Sequence, residues 1–402
     1  MKIKPISVAL LVLTTGMFDS ARADGAIDPS WSLSGFGTLA ATKTTTDQAV
    51  FSNIGVPNGA KESPTLKADS KLGVQGTGKL NDMFSGTVQV LSQDNGHGNF
   101  KPGIEWAFLK AQALPSLAFR VGRIGAPLFA ISDFRSVNYA NLWLRPPQDV
   151  YSQVPISHID GGDAVWQTSI GSTTLTAQGF FGTGRAIVSG LDVHAKKMGG
   201  LNLTAEFDNG ITLRAGTSQA EIYVLNNPLA GLLAAIDHTP YASVAASMTN
   251  AGKIAHFSGV GVSYDRNDWV GNAEYTVKTT DSYLGNTTGW EVTLGHRWGA
   301  WTPFAMLSKC IVDDTNVNNT IPKSVRALAP LSFAVDSVVA GQDTAERTAS
   351  LGLRWDVMKN VALKAQADHI SPDNSHGMFN SAQAGFKPSA VNVYALSADF
   401  VF

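Results

Sequence analysis

The sequence predicts an all-β protein, a transmembrane antiparallel β-barrel of sixteen strands, and three observations carry that prediction. Apolar and polar residues alternate with a period of two, in runs near the about 9–11 residues that a tilted strand needs to cross a bilayer. The connections between these runs alternate between short turns and long loops. Only 15% of the 402 residues are charged and 44% are hydrophobic, whereas an ordinary soluble domain is about 25% charged. Past the N-terminus no apolar run approaches the roughly 18 residues of a membrane-spanning helix. The 30 basic and 32 acidic residues are nearly balanced, which excludes a nucleic-acid binder, and a single cysteine excludes a disulfide scaffold. A large soluble β protein survives this arithmetic, but it has no reason to sort its loops by side. Its dry core would also not tolerate a strand face carrying Lys, Arg, Glu and Asp.

Residues 1–23 carry Lys2 and Lys4, an apolar core from Ile6 to Leu13, and the small-x-small site Ala21-Arg22-Ala23. That is the pattern of a cleaved export signal, with the barrel domain spanning 24–402. The first strand candidate, 31–41, alternates glycines with apolar and hydroxyl residues. Candidates 69–79 and 83–93 flank Leu80-Asn81-Asp82, and 104–112 and 117–126 flank Leu114-Pro115-Ser116. The next pair, 163–170 and 173–182, meets at Gly171-Ser172. In 198–207, Leu201, Leu203 and Ala205 oppose Asn202, Thr204 and Glu206, and an Asp208-Asn209-Gly210 turn leads into 211–220. Candidates 254–265 and 269–279 meet at Arg266-Asn267-Asp268; in the second, Ala273, Tyr275 and Val277 oppose Asn272, Glu274, Thr276 and Lys278. In 288–298, Val292 and Leu294 oppose Glu291, Thr293 and Arg297. Beyond Gly299-Ala300, 301–310 is the least regular, with Pro303 and apolar residues on both faces. Candidates 346–356, 361–370 and 389–402 complete the set. The other connections, among them 127–162 and 183–197, form the long side. The average spacing leaves room for one further hairpin within 221–252 or 311–345.

Four stretches resemble the general diffusion porins of Gram-negative outer membranes, the trimeric sixteen-stranded porin superfamily. SWSLSGFGTLAAT (Ser30 to Thr42) is similar to their first strand, and SKLGVQGTGKLNDMFSGTVQVLS (Ser70 to Ser92) to their second and third. The chain ends NVYALSADFVF, with Tyr394, Leu396, Ala398, Phe400 and Phe402 on one face. The resemblance implies that this terminal aromatic strand is what the barrel-assembly machinery recognises. The fourth stretch, 127–162, stands where the family has a third loop that folds into the barrel and narrows it. Arg145-Pro146-Pro147 stiffens this segment. Its many aromatic residues, Phe129, Phe134, Tyr139, Trp143 and Tyr151, suit a loop packed on a wall. Asp133, Arg135, Arg145, Asp149, Asp160 and Asp163 are the candidates for charge at the constriction, or for ion pairs that pin the loop. The Pro-Glu-Phe-Gly loop signature of the enterobacterial subfamily is absent, so its constriction geometry is not carried over.

The resemblance also implies basic side chains on the wall opposite the loop. Parity selects Lys71, Lys79, Arg120 and Arg214, while Arg123 lies at a strand-to-loop junction. Lys71 and Lys79 are eight residues apart, about 26 Å at strand rise, so they cannot share one constriction. Further round, Glu206, Glu274, Lys278, Glu291, Arg297, Lys364 and Asp368 face inward and would hydrate a wet lumen. The function implied is a passive diffusion channel for small hydrophilic solutes and ions, exported to the outer membrane. It would be a homotrimer surrounded by outer-membrane lipid and lipopolysaccharide. The alternatives are a substrate-selective channel of related fold, a barrel enzyme using Ser157-His158, and a closed structural barrel. Residues 73–79 share the glycine and lysine spacing of a phosphate-binding loop, but Leu80 stands where Mg²⁺ chemistry needs Ser or Thr. The eight histidines show no metal-ligand spacing. No catalytic residue, metal, cofactor or nucleic-acid partner is expected.

Overall fold

The computed structural model describes residues 30–52, 58–95, 97–188, 191–249, 251–373 and 375–402; the expected export signal over 1–23 lies outside them. Sixteen strands form one closed antiparallel barrel in which each strand pairs with its sequence neighbours and the last pairs with the first. They are β1 (Ser30–Thr44), β2 (Lys71–Lys79), β3 (Phe84–Gln93), β4 (Gly103–Leu114), β5 (Leu117–Gly125), β6 (His158–Ile170), β7 (Thr173–Val188) and β8 (Leu191–Glu206). The second half comprises β9 (Ile211–Leu225), β10 (Ala251–Arg266), β11 (Trp269–Thr280), β12 (Asn286–His296), β13 (Trp301–Asp314), β14 (Glu346–Met358), β15 (Val361–Pro372) and β16 (Val391–Val401).

Alternation along each strand decides which way the side chains point. Leu39, Val121, Leu201, Leu203, Leu351 and Leu396 are exposed on the outer face, an apolar surface suited to lipid. Trp31, Trp269, Trp298, Trp301 and Trp355 are exposed beside the short turns, where a bilayer barrel carries an aromatic girdle. The Trp301 and Trp355 rings stack at 4.7 Å.

Closure rests on the register Phe36↔Val401 to Thr44↔Val393. On its outer side, the rings of Phe400 and Phe402 cover Gly37 and Gly35, leaving no room for a Cβ at either glycine. The face carrying Tyr394, Leu396, Phe400 and Phe402 is therefore the outer face of the closing seam.

The long-loop end departs from expectation in three places. Residues 183–197 are not a loop, because β7 runs to Val188 and β8 starts at Leu191, so the pair continues as an extended hairpin. The space left for an extra hairpin holds helices instead: α2 (Asn227–Asp237), α3 (Ala242–Met248) and α4 (Ala329–Ala340), α1 being a single turn in the third loop (Gln148–Tyr151). Leu229, Leu232, Leu233 and Ile236 recur at helical spacing, and Asn226 caps α2 by accepting from Leu229 N at 3.1 Å. With Tyr283 and Ile321 these helices bury Ile236, Met248 and Val335 in a small core of their own. Finally, the third loop spans 126–157 rather than 127–162, since β6 begins at His158.

Gly37→Val forces the Phe400 ring off the seam and should cost about 1–3 kcal/mol, as overpacking does. The expected result is a lower folded fraction on refolding into detergent micelles, read by heat-sensitive gel mobility. Adding Phe400→Ala should restore much of it.

Candidate functional site

The third loop leaves β5 at Gly125 and crosses the barrel interior before re-entering the wall at His158. An irregular segment carries unpaired backbone groups, and apolar residues in a polar lumen need a surface to cover. The inner wall supplies both. Phe180, Met198, Phe257, Phe304 and Met306 interrupt the polar inner face and form one core with Leu128, Phe129, Trp143, Val150 and Tyr151 of the loop. Phe129 sits 4.7 Å from the Tyr151 ring and 5.0 Å from the Phe257 ring. This explains the irregular 301–310 segment, whose inward Phe304 and Met306 face the loop and not water.

Inward charges satisfy the loop backbone. Arg214 donates to the carbonyls of Pro127 at 2.8 Å and Leu128 at 3.2 Å. Glu274 accepts from Ala130 N at 2.9 Å and from the Tyr151 hydroxyl at 2.6 Å. Lys364 donates to the carbonyls of Asn138, Asn141 and Trp143 at 2.6–3.0 Å and pairs with Asp399 at 3.0 Å. Arg354 donates to the Tyr139 carbonyl at 2.6 Å. At the loop's far side, Arg145 is buried between Asp69 (2.8 Å) and Asp368 (2.6 Å), under the Phe51 ring.

The candidate residues therefore separate into groups that the sequence could not distinguish. Asp160 and Asp163 are not in the loop but on β6. Asp163 faces inward and takes a bidentate pair from Arg120 and a hydrogen bond from Gln178 at 2.6 Å. Asp160 shares the outward parity of Trp166 and pairs with Arg123 at 2.7 Å. Arg145 and Asp149 are loop residues, but both are buried, with no access to a pore. Asp149 Oδ2 accepts from the Ser308 hydroxyl at 2.6 Å, and its Oδ1 has no hydrogen-bond partner among the described residues. Glu291 is likewise buried, held by Asn272 and Thr293. Lys79 pairs with Asp82 at 2.9 Å and Arg297 with Asp265 at 2.7 Å, both at the short-turn rim and away from the loop. Glu206 ends β8 at that same rim, while Lys278 lies towards the long loops, 3.5 Å from the Leu284 carbonyl.

What still faces water lies between loop residues 132–137 and the wall built by β1 to β6. Asp133 is exposed and close enough to Arg120 for the two charges to interact. Lys71 reaches the loop at Asn138 Oδ1, 3.3 Å away. Lys110 stands beside Arg120 in the β4–β5 register and makes no ion pair among the described residues. Lys110, Glu105, Gln89 and Trp106 are the lining residues that sequence reasoning missed. Parity marks Lys110, but the same face of β4 carries Trp106 and Phe108 and does not read as polar.

Ser157 Oγ is 3.1 Å from His158 Nδ1, and Glu105 Oε2 is 3.7 Å from the same nitrogen. A nucleophile–base–acid relay needs the serine and the acid on opposite ring nitrogens, so this cluster does not form one.

Two loop carboxylates respond to pH in opposite directions. Burial pushes Asp149 up to about 6 from an ordinary 3.8, in spite of its hydroxyl hydrogen bonds. The folded state thus favours its protonated form: the stabilisation is complete below pH 3.8 and is lost as pH rises through about 6. Burial alone would raise Asp69 as well, but Arg145 beside it holds its carboxyl below the ordinary value. Its contribution is present above that value and is lost only as pH falls through the lowered one. Between pH 4 and 7, Asp149→Asn should gain up to about 3 kcal/mol on the native chain, measured by unfolding in micelles at each pH. Arg145→Ala leaves Asp69 and Asp368 buried without their cation and should cost about 3–5 kcal/mol. Limited proteolysis of the folded barrel should then show new cleavage within 126–157.

No protein-family model and no curated protein matches the chain. Solved structures do. OmpF of Salmonella typhi, in complex with daunomycin, is 13% identical, with 92% of this chain and 97% of that chain covered at a TM-score of 0.55. An anion-selective porin from Comamonas acidovorans is 12% identical, with coverage of 93% and 100% and a TM-score of 0.54. OmpT of Vibrio cholerae, in a trimer form, is 12% identical, with coverage of 93% and 100% and a TM-score of 0.53. At these identities the likeness is one of fold, the sixteen-stranded porin barrel.

Proposed function

We propose that this chain, built on the porin fold, is a passive diffusion channel of the outer membrane for small hydrophilic solutes and ions. The observation that carries the reading is the disposition of charge around the third loop. The anchors Arg214, Glu274, Lys364 and Arg145 are consumed in holding the loop against β8 to β16 and β1. Asp133 on its free side is left facing Arg120 and its neighbour Lys110 across the lumen. Opposed charges across a narrow aqueous gap produce a transverse field, which favours dipolar solutes over apolar ones. The export pattern over 1–23, the apolar outer belt and the tryptophans by the short turns support placement among outer-membrane lipids and lipopolysaccharide. In that placement the short turns are periplasmic and the long loops outermost. The C-terminal aromatic strand supports delivery by the barrel-assembly machinery, and the OmpT trimer supports a homotrimer. A barrel enzyme is less well supported, because Ser157 and Glu105 share one nitrogen of His158.

Single-channel recording in a planar bilayer tests the reading: steady ohmic steps are expected, and a purified, folded protein that passes no current refutes it. Lys110→Glu should move the reversal potential in a salt gradient towards cation preference, and Asp133→Asn towards anion preference. The same exchange at buried Asp149 should leave it unmoved.

A further inference from the structure

Between the third loop and the inner wall lies a recess lined by Phe36, Gln89, Glu105, Trp106, Asp133 and Arg135, with serine hydroxyls at its edge. Its charges are of both signs and are not spent on one another. Arg135 is half-buried and makes no side-chain hydrogen bond or ion pair among the described residues. Asp133 is exposed and has no ion pair within 4 Å among the described residues. Glu105 is engaged only loosely, by the His158 imidazole at 3.7 Å and by the Ser157 hydroxyl. Opposite charges this close ordinarily collapse into a pair. Here the loop backbone, pinned by Lys364 and Glu274 on either side, keeps Arg135 and Asp133 on the loop while Glu105 stays on β4.

That leaves the Arg135 donors and the Asp133 acceptors unfilled at the recess, with the Glu105 carboxylate beside them. An anion alone meets the repulsion of Glu105 and Asp133, and a cation alone that of Arg135. A solute bearing both charges on neighbouring atoms satisfies both sets, and charge-assisted hydrogen bonds are the strong ones. The recess itself has about 20 Å³ of free volume, room for one small polar group. The remainder of the solute therefore lies in the lumen beside Trp106 and Phe36.

We propose that this recess is a binding subsite for zwitterionic α-amino acids, with the carboxylate on Arg135 and the ammonium group at the mouth towards Asp133 and Glu105. The inference rests on the channel reading and gives that channel a preferred solute class. L-alanine, propionate and ethylamine are to be added in turn to single channels at constant salt. Alanine should reduce the current saturably, with a half-effect in the millimolar range typical of weak sites, about 1 mM being a 4 kcal/mol interaction. Propionate and ethylamine should do so at least tenfold less well, and Arg135→Gln or Asp133→Asn should weaken the alanine effect about tenfold. Equal block by all three solutes, or an alanine effect untouched in both variants, overturns the subsite. Calorimetric titration of L-alanine into the detergent-solubilised protein reads the subsite independently of current. Saturable heat that Arg135→Gln abolishes supports it, and no saturable heat overturns it. A protein that binds alanine but passes no current would instead refute the channel and leave the subsite standing.

Discussion

Closure of the sheet is the constraint on which everything else depends. A bilayer offers backbone N–H and C=O groups no partners, so a spanning sheet can leave no edge. Here β16 meets β1 over the nine residue pairs from Phe36↔Val401 to Thr44↔Val393. Once the ladder is closed, strand parity has only two destinations, the outer surface and the lumen, and successive side chains are committed to them in turn. The chemistry of the interior follows: Lys, Arg, Glu and Asp sit on strands without loss of solubility because they point into a space that water and the third loop share.

The loop then divides that space. Inside a barrel an irregular segment has no ladder to pair with, and its carbonyls and amides must be met by side chains. Lys364 alone takes three carbonyls, Arg214 two, and Glu274 an amide and a hydroxyl. A strip of inward phenylalanines and methionines takes the loop's apolar side. The wall is therefore asymmetric in role. The strands from β7 onward are scaffold for the loop, those from β2 to β6 are the face that a solute meets, and β1 shares in both.

Much of this was legible in the sequence, and the reason differs from residue to residue. Arg120, Lys364 and Asp368 were placed inward by parity alone, because a period of two leaves no other choice. Arg145 and Asp149 read equally well as pore charges or as pins, since a loop has no parity and nothing local shows whether a guanidinium will find Asp69, 76 positions earlier. Asp163 was assigned to the loop because the strand start was placed at its own position, although β6 begins five residues before it. Residues 183–197 resembled a loop because the glycines at 182 and 184, the paired lysines at 196 and 197 and a bulge between β8 and β9 blur the alternation. The helices α2, α3 and α4 stand where the strand pattern leaves room for a hairpin, although Leu229, Leu232, Leu233 and Ile236 carry the period of a helix.

By itself, the sequence determined a barrel of sixteen strands with room for one more hairpin, the inner and outer faces of those strands, and most of the short turns and long loops. These follow from local rules, namely alternation, turn chemistry and the length needed to cross a bilayer, whereas the inserted loop was an expectation from the resemblance to the porins. Only the tertiary structure decided which inward charges are free. That depends on contacts between residues as far apart as Arg145 and Asp368, and on how closely the loop lies against one wall. Arg135, Asp133 and Lys110 acquire their significance from what does not reach them. Such a vacancy is a property of the folded arrangement and leaves no mark on the local order of residues.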